Sequence, residues 1–138
     1  VFDIFSNVDL IIHAGDLVEI SVLHELSAIA PVQAVAGNTD GWDVRAVLPR
    51  RRTLELDGYR VGVIHGDGYG GDTPTRAFRA FSEVDCIVFG HSHIPFSEVR
   101  DGVLLVNPGS PTDARGLRPT VGLLRIEAGG LKPEIIEL

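Results

Sequence analysis

The chain has 138 residues and a mass of 14.8 kDa, which is enough for one domain of usual size and too little for two. Hydrophobic residues make up 44% of it and charged residues 22%, a composition that excludes disordered and collagen-like chains. The formal net charge of −7 argues against strong nucleic-acid binding, and the apolar runs are too short to span a membrane.

The first half of the chain alternates between strand and helix patterns. Residues 8–13 form a short apolar run just before Asp16, which is typical of a buried strand that leads into a loop. Residues 17–30 carry apolar side chains at helical spacing and end before Pro31, and residues 31–36 are again strand-like. This order predicts a βαβ unit, with both loops at the carboxyl ends of parallel strands.

Hairpin patterns dominate the second half. After the first of them, Thr73 suits the N-cap of a helix with Pro74 as its first residue, and residues 85–89 suit a buried strand. Helix-strand units followed by hairpins favour an α/β fold of two mixed sheets packed face to face, with helices outside. The predicted hairpins pair residues 53–56 with 60–64, residues 97–99 with 103–106, and residues 121–126 with 134–138.

Five polar side chains follow the ends of predicted strands. Ligand sites in α/β sheets form where several strand ends converge, although any one of these residues alone would be interpreted as part of a turn or loop. Carboxylate and amide oxygens together with imidazoles suit a divalent ion such as manganese, iron, zinc or magnesium. The five residues are Asp16, Asn38, His65, His91 and His93.

Four short motifs, in order, resemble those of a known family. They are Gly-Asp at 15–16, Gly-Asn-Thr-Asp at 37–40, His-Gly at 65–66 and Gly-His-Ser-His at 90–93, and residues 107–111 add an NPGS-like segment. Over nearly its whole length the chain thereby resembles the calcineurin-like metallophosphoesterases. It is most similar to small phosphodiesterases of the YfcE type, whose relatives include the retromer subunit of vacuolar sorting. The resemblance implies a single domain over residues 1–138 with four layers, α/β/β/α.

The same resemblance implies a centre of two divalent metal ions. Asp16 would bridge both ions, Asn38, His65 and His91 would complete one site, and His93 would bind the other ion. Manganese is expected first, with iron, zinc, nickel or magnesium as alternatives. A metal-bound hydroxide, rather than a side chain, would be the nucleophile that attacks a phosphate ester in line.

Two departures from the family pattern bear on activity. The remaining ligands of the second ion come from a DxH motif, which this sequence lacks, since Asp3 is followed by Ile4 and Phe5. We therefore expect an incomplete chain without its first strand and most of its first helix, with residues 1–6 as the tail of that helix. Such a chain should bind about one ion and catalyse poorly. Thr39 stands where many relatives carry His, and it cannot protonate a leaving group near neutral pH.

Other polar residues have weaker assignments near this site. Asp40 is expected either to orient neighbouring loop groups or to cap a local turn, and His13 to support the ligands from the end of its strand. With Thr39, they are candidates for substrate contact or for positioning the ligands. Ser110 and Arg115 lie where the resemblance suggests closeness to the cleft, and an arginine there either binds phosphate or belongs to the surface.

Two aromatic residues leave a choice between binding and packing. Trp42 and Tyr69 either stack on a base or an aryl group or, as the safer interpretation, pack against the protein. Cys86 is the only cysteine, so no intramolecular disulfide can form, and a reducing compartment, the cytoplasm, is expected.

The sequence favours a metal-dependent phosphoesterase, more specifically a phosphodiesterase, acting on a small phosphodiester or phosphomonoester. The alternative is a non-catalytic scaffold of the same fold that binds protein partners, which the missing DxH motif favours and the retained histidines oppose. No membrane partner is expected, a homo-oligomer stays open, and no motif names the substrate.

Overall fold

The computed structural model describes residues 2–17, 20–112 and 114–138. A single helical turn, α1, lies where the sequence predicts the tail of a helix, and strands and helices then alternate up to a strand-rich second half. In chain order the elements are α1 (Phe2–Phe5), β1 (Ile11–His13), α2 (Ser21–Ser27), β2 (Val32–Ala34), α3 (Trp42–Val47), β3 (Arg51–Leu56), β4 (Tyr59–Ile64), α4 (Thr73–Arg79), β5 (Cys86–Val88), β6 (Phe96–Arg100), β7 (Val103–Asn107), β8 (Thr120–Glu127) and β9 (Gly130–Glu137).

A five-stranded mixed sheet with the order β3-β4-β5-β7-β6 forms the central layer. β5 pairs in parallel with both β4 and β7, while the edge strands β3 and β6 are antiparallel to their neighbours. All three residues of β5 are buried, as expected for a parallel strand covered on both faces. Because β4, β5 and β7 run in the same direction, the loops that follow them meet at one edge of the sheet.

The two smaller sheets lie against one face of this central layer. β1 pairs in parallel with β2, and β8 pairs in antiparallel fashion with β9. Val61 and Cys86 of the central sheet share a hydrophobic cluster with Ile12 of β1 and with Leu124 and Ile135 of the β8–β9 pair. Where the sequence predicts a second mixed sheet, the described residues form two separate two-stranded sheets.

Helices cover the outer faces of both layers. Ala77 of α4 packs against Ile87 and Leu105 on the other face of the central sheet, while Val44 of α3 packs against Ala34 of β2. The order helix, sheet, sheet, helix confirms the predicted four-layer α/β arrangement. Among the described residues, no helix has the length and apolar character that crossing a membrane requires.

The helices differ from the sequence prediction in three places. α2 covers only Ser21–Ser27 of the predicted residues 17–30. α3 is not visible in the pattern because Val44 is its only buried residue and its N-cap, Gly41, makes no side-chain capping bond. The N-cap of α4 is Asp72 rather than Thr73, because the carboxylate of Asp72 accepts a 3.0 Å hydrogen bond from the Thr75 N–H. Thr73 and Pro74 therefore occupy the first two helical positions, which suits the missing N–H of proline.

Candidate metal centre

Four of the five predicted ligands meet around one ring nitrogen of His65. Its Nε2 lies 2.9 Å from Oδ1 of Asn38, 3.1 Å from Oδ2 of Asp16 and 3.3 Å from Nδ1 of His91. The two imidazole rings stand at 80° to each other, with centroids 5.1 Å apart. These side chains follow β1, β2, β4 and β5, so the ends of parallel strands from two layers bring them together.

The second ring nitrogen of His65 decides where its proton lies. Nδ1 is 2.8 Å from the backbone oxygen of Ala14, which can only accept, so Nδ1 carries the hydrogen. In the neutral ring, Nε2 then presents a lone pair to the oxygens of Asn38 and Asp16, which also carry lone pairs. Nitrogen and oxygen lone pairs that converge in this way fit a divalent metal ion.

The four groups are drawn tightly around Nε2. Within the described ranges, no three His, Cys, Asp or Glu side chains already surround a common point at ion-binding distance. An ion takes nitrogen and oxygen ligands at about 2.0–2.2 Å from itself, so the donor atoms would move slightly apart to admit one. Asn38 is exposed and the Asp16 side chain only partly buried, which leaves room for that movement.

Thr39 holds Asp16 in its ionised form. Oδ1 of Asp16 accepts a 3.0 Å hydrogen bond from the Thr39 N–H, while Oδ2 faces His65. Burial is the largest single influence and raises the pKa of Asp16, but the hydroxyl and N–H of Thr39, with His65 and His91, together lower that pKa below its ordinary value. Burial, followed by the neighbouring His65, also lowers the pKa of His91. A carboxylate beside neutral imidazoles is the state that binds a metal ion.

Asp40 connects the loops that carry Asp16 and Asn38. Its side chain is buried, and its Oδ2 accepts hydrogen bonds of 2.9 Å from the Asp16 N–H and 2.7 Å from the Gly37 N–H. The bond to Gly37 is local, whereas the bond to Asp16 crosses between two strand ends. A residue that orients both ligand loops would make these contacts.

Two glycines allow the same loops to touch. Gly15 has φ +103°, and a Cβ there would lie 2.7 Å from Nδ1 of His65. A Cβ on Gly37 would lie 2.6 Å from the backbone nitrogen of Asp16. The glycines of the Gly-Asp and Gly-Asn motifs are therefore required by the close approach of one loop to the other.

Three of the predicted ligands have left-handed backbone conformations. The φ angles are 59° at Asp16, 65° at His91 and 61° at His93. For residues with a Cβ this region costs roughly 1–2 kcal/mol, and it persists where the surrounding contacts enforce it. His93 is half-buried on the same loop as His91, and its role as a ligand stays a prediction.

Asn107 is a supporting residue that the sequence analysis noted only as part of the NPGS-like segment. Its side chain is fully buried at the end of β7. Nδ2 donates to the Gly90 oxygen at 2.9 Å and to Oγ of Ser92 at 3.1 Å, and Oδ1 accepts from the Gly109 N–H at 2.9 Å. Asn107 thus ties the loop that carries His91 to the end of the neighbouring strand. A polar residue that ends a buried strand was the available signal.

The other candidate residues lie around this centre with different contacts. His13 is half-buried at the end of β1, and its Nδ1 accepts a 3.2 Å hydrogen bond from the Gly15 N–H. Burial, opposed by Asp40 and Asp16, lowers its pKa. Ser110 is buried and its Oγ accepts from the Thr112 N–H at 3.4 Å.

Three further side chains point toward solvent. Arg115 is exposed, has φ 50°, and makes no ion pair with the part of the chain that the structure describes. Trp42 is 83% exposed and Tyr69 is fully exposed, so the prediction that these two aromatic residues pack against the protein is wrong. Each lies a few residues beyond a predicted ligand, Trp42 after Asn38 and Tyr69 after His65.

Comparison with known proteins agrees with this geometry. A family model described as the calcineurin-like phosphoesterase superfamily domain matches residues 1–129. A protein of Methanothermobacter thermautotrophicus named "probable metallophosphoesterase" is 43% identical over 138 residues, which cover 99% of this chain and 80% of that protein.

Solved structures extend the comparison to the fold. An archaeal phosphodiesterase is similar with a TM-score of 0.76 and 26% identity, covering 98% of this chain and 88% of that one. A Vps29 variant from Entamoeba histolytica reaches a TM-score of 0.77 at 20% identity, covering 99% and 87%, which shows a shared fold alone. The resemblance seen in the four motifs is confirmed, and the chain belongs to the calcineurin-like phosphoesterase superfamily.

Proposed function

We propose that this chain is a metal-dependent phosphodiesterase. The observation that carries the proposal is the convergence of Asp16, Asn38 and His91 on the Nε2 lone pair of His65. A divalent ion bound there would polarise a phosphoryl oxygen and lower the pKa of a coordinated water. The relative named as a metallophosphoesterase and the structural neighbour described as a phosphodiesterase support the reaction class.

The protein's own groups prepare the ligands. The Ala14 carbonyl holds the proton of His65 on Nδ1, so Nε2 stays free to bind. The N–H and hydroxyl of Thr39 donate hydrogen bonds to Asp16, so the carboxylate is oriented and ionised before a metal ion binds. With only Asp16 and His93 offered to a second ion, we infer one well-held ion in this chain, with manganese as the first candidate.

The arginine next to the His65 loop gives no support for a doubly charged monoester. The guanidinium of Arg76, next to the His65 loop, donates to the oxygens of Gly66 and Gly71 and to the Thr73 hydroxyl. It is therefore engaged with the protein and not directed at a ligand. Near neutral pH a phosphodiester carries one negative charge and a monoester about two, so the diester needs less positive charge from the protein to bind. Because Thr39 cannot protonate a leaving group near neutral pH, the leaving group must depart without help from a strong acid.

Hydrolysis of bis(4-nitrophenyl) phosphate with manganese, together with metal analysis, tests this proposal. We expect slow turnover, because a second ion would find only two of its ligands, with about one ion per chain and a loss of at least about 100-fold in kcat/KM for His91→Ala. His24→Ala is the matched control, because His24 is exposed on α2 and should leave turnover unchanged.

Two results would count against the proposal. Equal turnover by His91→Ala and wild type would show that His91 is not a ligand of the catalytic metal ion. A wild-type chain that binds no metal and hydrolyses nothing would favour the non-catalytic scaffold instead. Two tightly bound ions per chain would contradict the ligand count while leaving the reaction class intact.

A further inference from the structure

An apolar pocket of about 330 Å³ opens beside the candidate metal centre. Its volume is at the lower end of the range for small-molecule sites, which are typically lined by apolar and aromatic side chains with a few polar groups. A single aromatic ring fits within this volume. The lining residues include Thr73, Pro74, Phe89, Ser92, Ile94 and Phe96.

The pocket is continuous with the ligand loops. Ser92 lies between His91 and His93 in the sequence, and its Oγ is held by the side chain of Asn107. On the other side, a Cβ added to Gly66, the residue after His65, would lie 3.0 Å from the Thr73 methyl group and 3.8 Å from the ring of Phe89. Ser92 of the pocket wall is therefore the direct sequence neighbour of two predicted ligands, His91 and His93.

The chemistry of the lining selects an aromatic occupant. Phe96 is half-buried and packs edge to face against the fully buried Phe89, with centroids 6.0 Å apart at 63°, so Phe96 is the aromatic side chain that a ligand ring can contact. The charged residue of the lining, Asp72, directs its carboxylate to the Thr75 N–H. Among the residues that the structure describes, those lining the pocket include no cation, so an anionic group would gain nothing there, and the phosphoryl group would be left to the metal centre.

We propose that this pocket binds the aromatic ring of an aryl or similarly ring-bearing phosphodiester, a specificity that rests on the proposed function. The ring would lie between Pro74 and Ile94 against Phe96, which is half-buried, while Phe89 lies fully buried behind Phe96. Oγ of Ser92 accepts hydrogen bonds from Asn107 and from the Ile94 N–H, so its own proton can be donated to an ester oxygen. An aryloxide also departs without a strong acid, which matches Thr39 in place of histidine.

Competition between two monoanionic diesters tests the pocket. With bis(4-nitrophenyl) phosphate as substrate, diphenyl phosphate should inhibit at least about tenfold more tightly than dimethyl phosphate, because only the former buries a ring. Ile94→Asn should remove most of this difference. Val99→Asn is the matched control, since both residues are exposed apolar side chains but Val99 is not among those that line the pocket. Equal inhibition by the two diesters would overturn the proposal.

A measurement without metal separates this proposal from the function on which it rests. Phenol added to the metal-free protein should shift the amide NMR signals of Ser92, Ile94 and Phe96, and Ile94→Asn should weaken those shifts. Ring binding without hydrolysis would refute the phosphodiesterase and keep the pocket. Hydrolysis with no shift at these residues would keep the phosphodiesterase and refute the pocket.

Discussion

The two ends of the central sheet use the same unusual backbone conformation for opposite reasons. At the hairpin end, Asp57 and Asp101 have φ angles of 50° and 49°, and a Cβ on the glycine that follows each would meet nothing within 4 Å. At the opposite end, here called the ligand end because the predicted metal ligands meet there, His91, which follows β5 of the central sheet, and Asp16, which follows β1, have φ angles of 65° and 59° in loops packed against each other. The hairpin turns need this conformation locally, whereas the ligand loops have it imposed on them.

The difference shows where each end gets its stability. An Asp-Gly pair between two strands favours a tight hairpin turn whose twist matches the strands, so the turn needs little from the rest of the protein. The ligand loops instead depend on distant groups, namely Asp40 for the first two loops and Asn107 for the loop of His91. Substitutions at the two ends should therefore differ in both stability and metal binding.

The largest difference is expected between Asp40→Ala and Asp101→Ala. Removing the Asp40 carboxylate leaves the N–H groups of Asp16 and Gly37 without their acceptor in a buried site, which should lower the free energy of unfolding by about 2–5 kcal/mol. Metal affinity should fall about 10–100-fold. Asp101→Ala, in an exposed turn, should cost about 1 kcal/mol and leave metal affinity unchanged. Urea denaturation and a metal titration measure both.

Asp40→Asn makes this comparison sharper. A single amide oxygen can take the place of Oδ2 as acceptor of both hydrogen bonds, so this variant should keep more metal affinity than the alanine variant. If Asp40→Ala binds metal as well as wild type does, then Asp40 caps a local turn and does not orient the ligand loops.

The same contrast explains what the sequence could predict. Hairpins can be predicted from residues that are neighbours in the sequence. Strand ends are marked by polar residues after apolar runs, so the sequence predicts that Asp16, Asn38, His65 and His91 meet. Asn107 donates hydrogen bonds to Gly90 and Ser92, in a loop that precedes it in the chain. No local sequence pattern predicts these contacts. The exposure of Trp42 is not predictable because aromatic residues usually pack, and α3 is not predictable because it buries only one side chain.

A second, smaller difference is expected between two glycine substitutions. Gly37 does not have a positive φ, so Gly37→Ala acts through space alone, forcing a Cβ to within 2.6 Å of the Asp16 nitrogen. Such overpacking typically costs about 1–3 kcal/mol, and it should displace Asp16 and weaken metal binding. Gly102→Ala has open space but φ 78°, so it should cost about 1 kcal/mol without any effect on metal. Thermal unfolding and metal titration of both variants would show this, and equal metal affinities would refute the packing argument.

The smallest effect concerns a local contact at the ligand end. The hydroxyl and the N–H of Thr75 donate to Asp72 and lower the pKa of its carboxyl below the ordinary value of 3.8. A carboxyl with a lowered pKa in the folded state adds stability above its unfolded pKa, and this stability is lost as the pH falls through the folded pKa. Asp72→Asn keeps a capping oxygen but not the charge, so its free energy of unfolding should be slightly below that of wild type at neutral pH.

Acid titration of the two proteins would measure this gap, which should close once the pH is below the folded pKa of Asp72. Metal affinity should be the same in both, because Asp72 caps α4 and makes none of the contacts that hold Asp16, Asn38, His65 or His91. A gap that persists in strong acid would show that the substituted amide caps the helix less well, so that the missing charge is not the cause. A loss of metal affinity would show that α4 takes part in holding the ligand loops, so that even a helix cap at this end of the sheet belongs to the site.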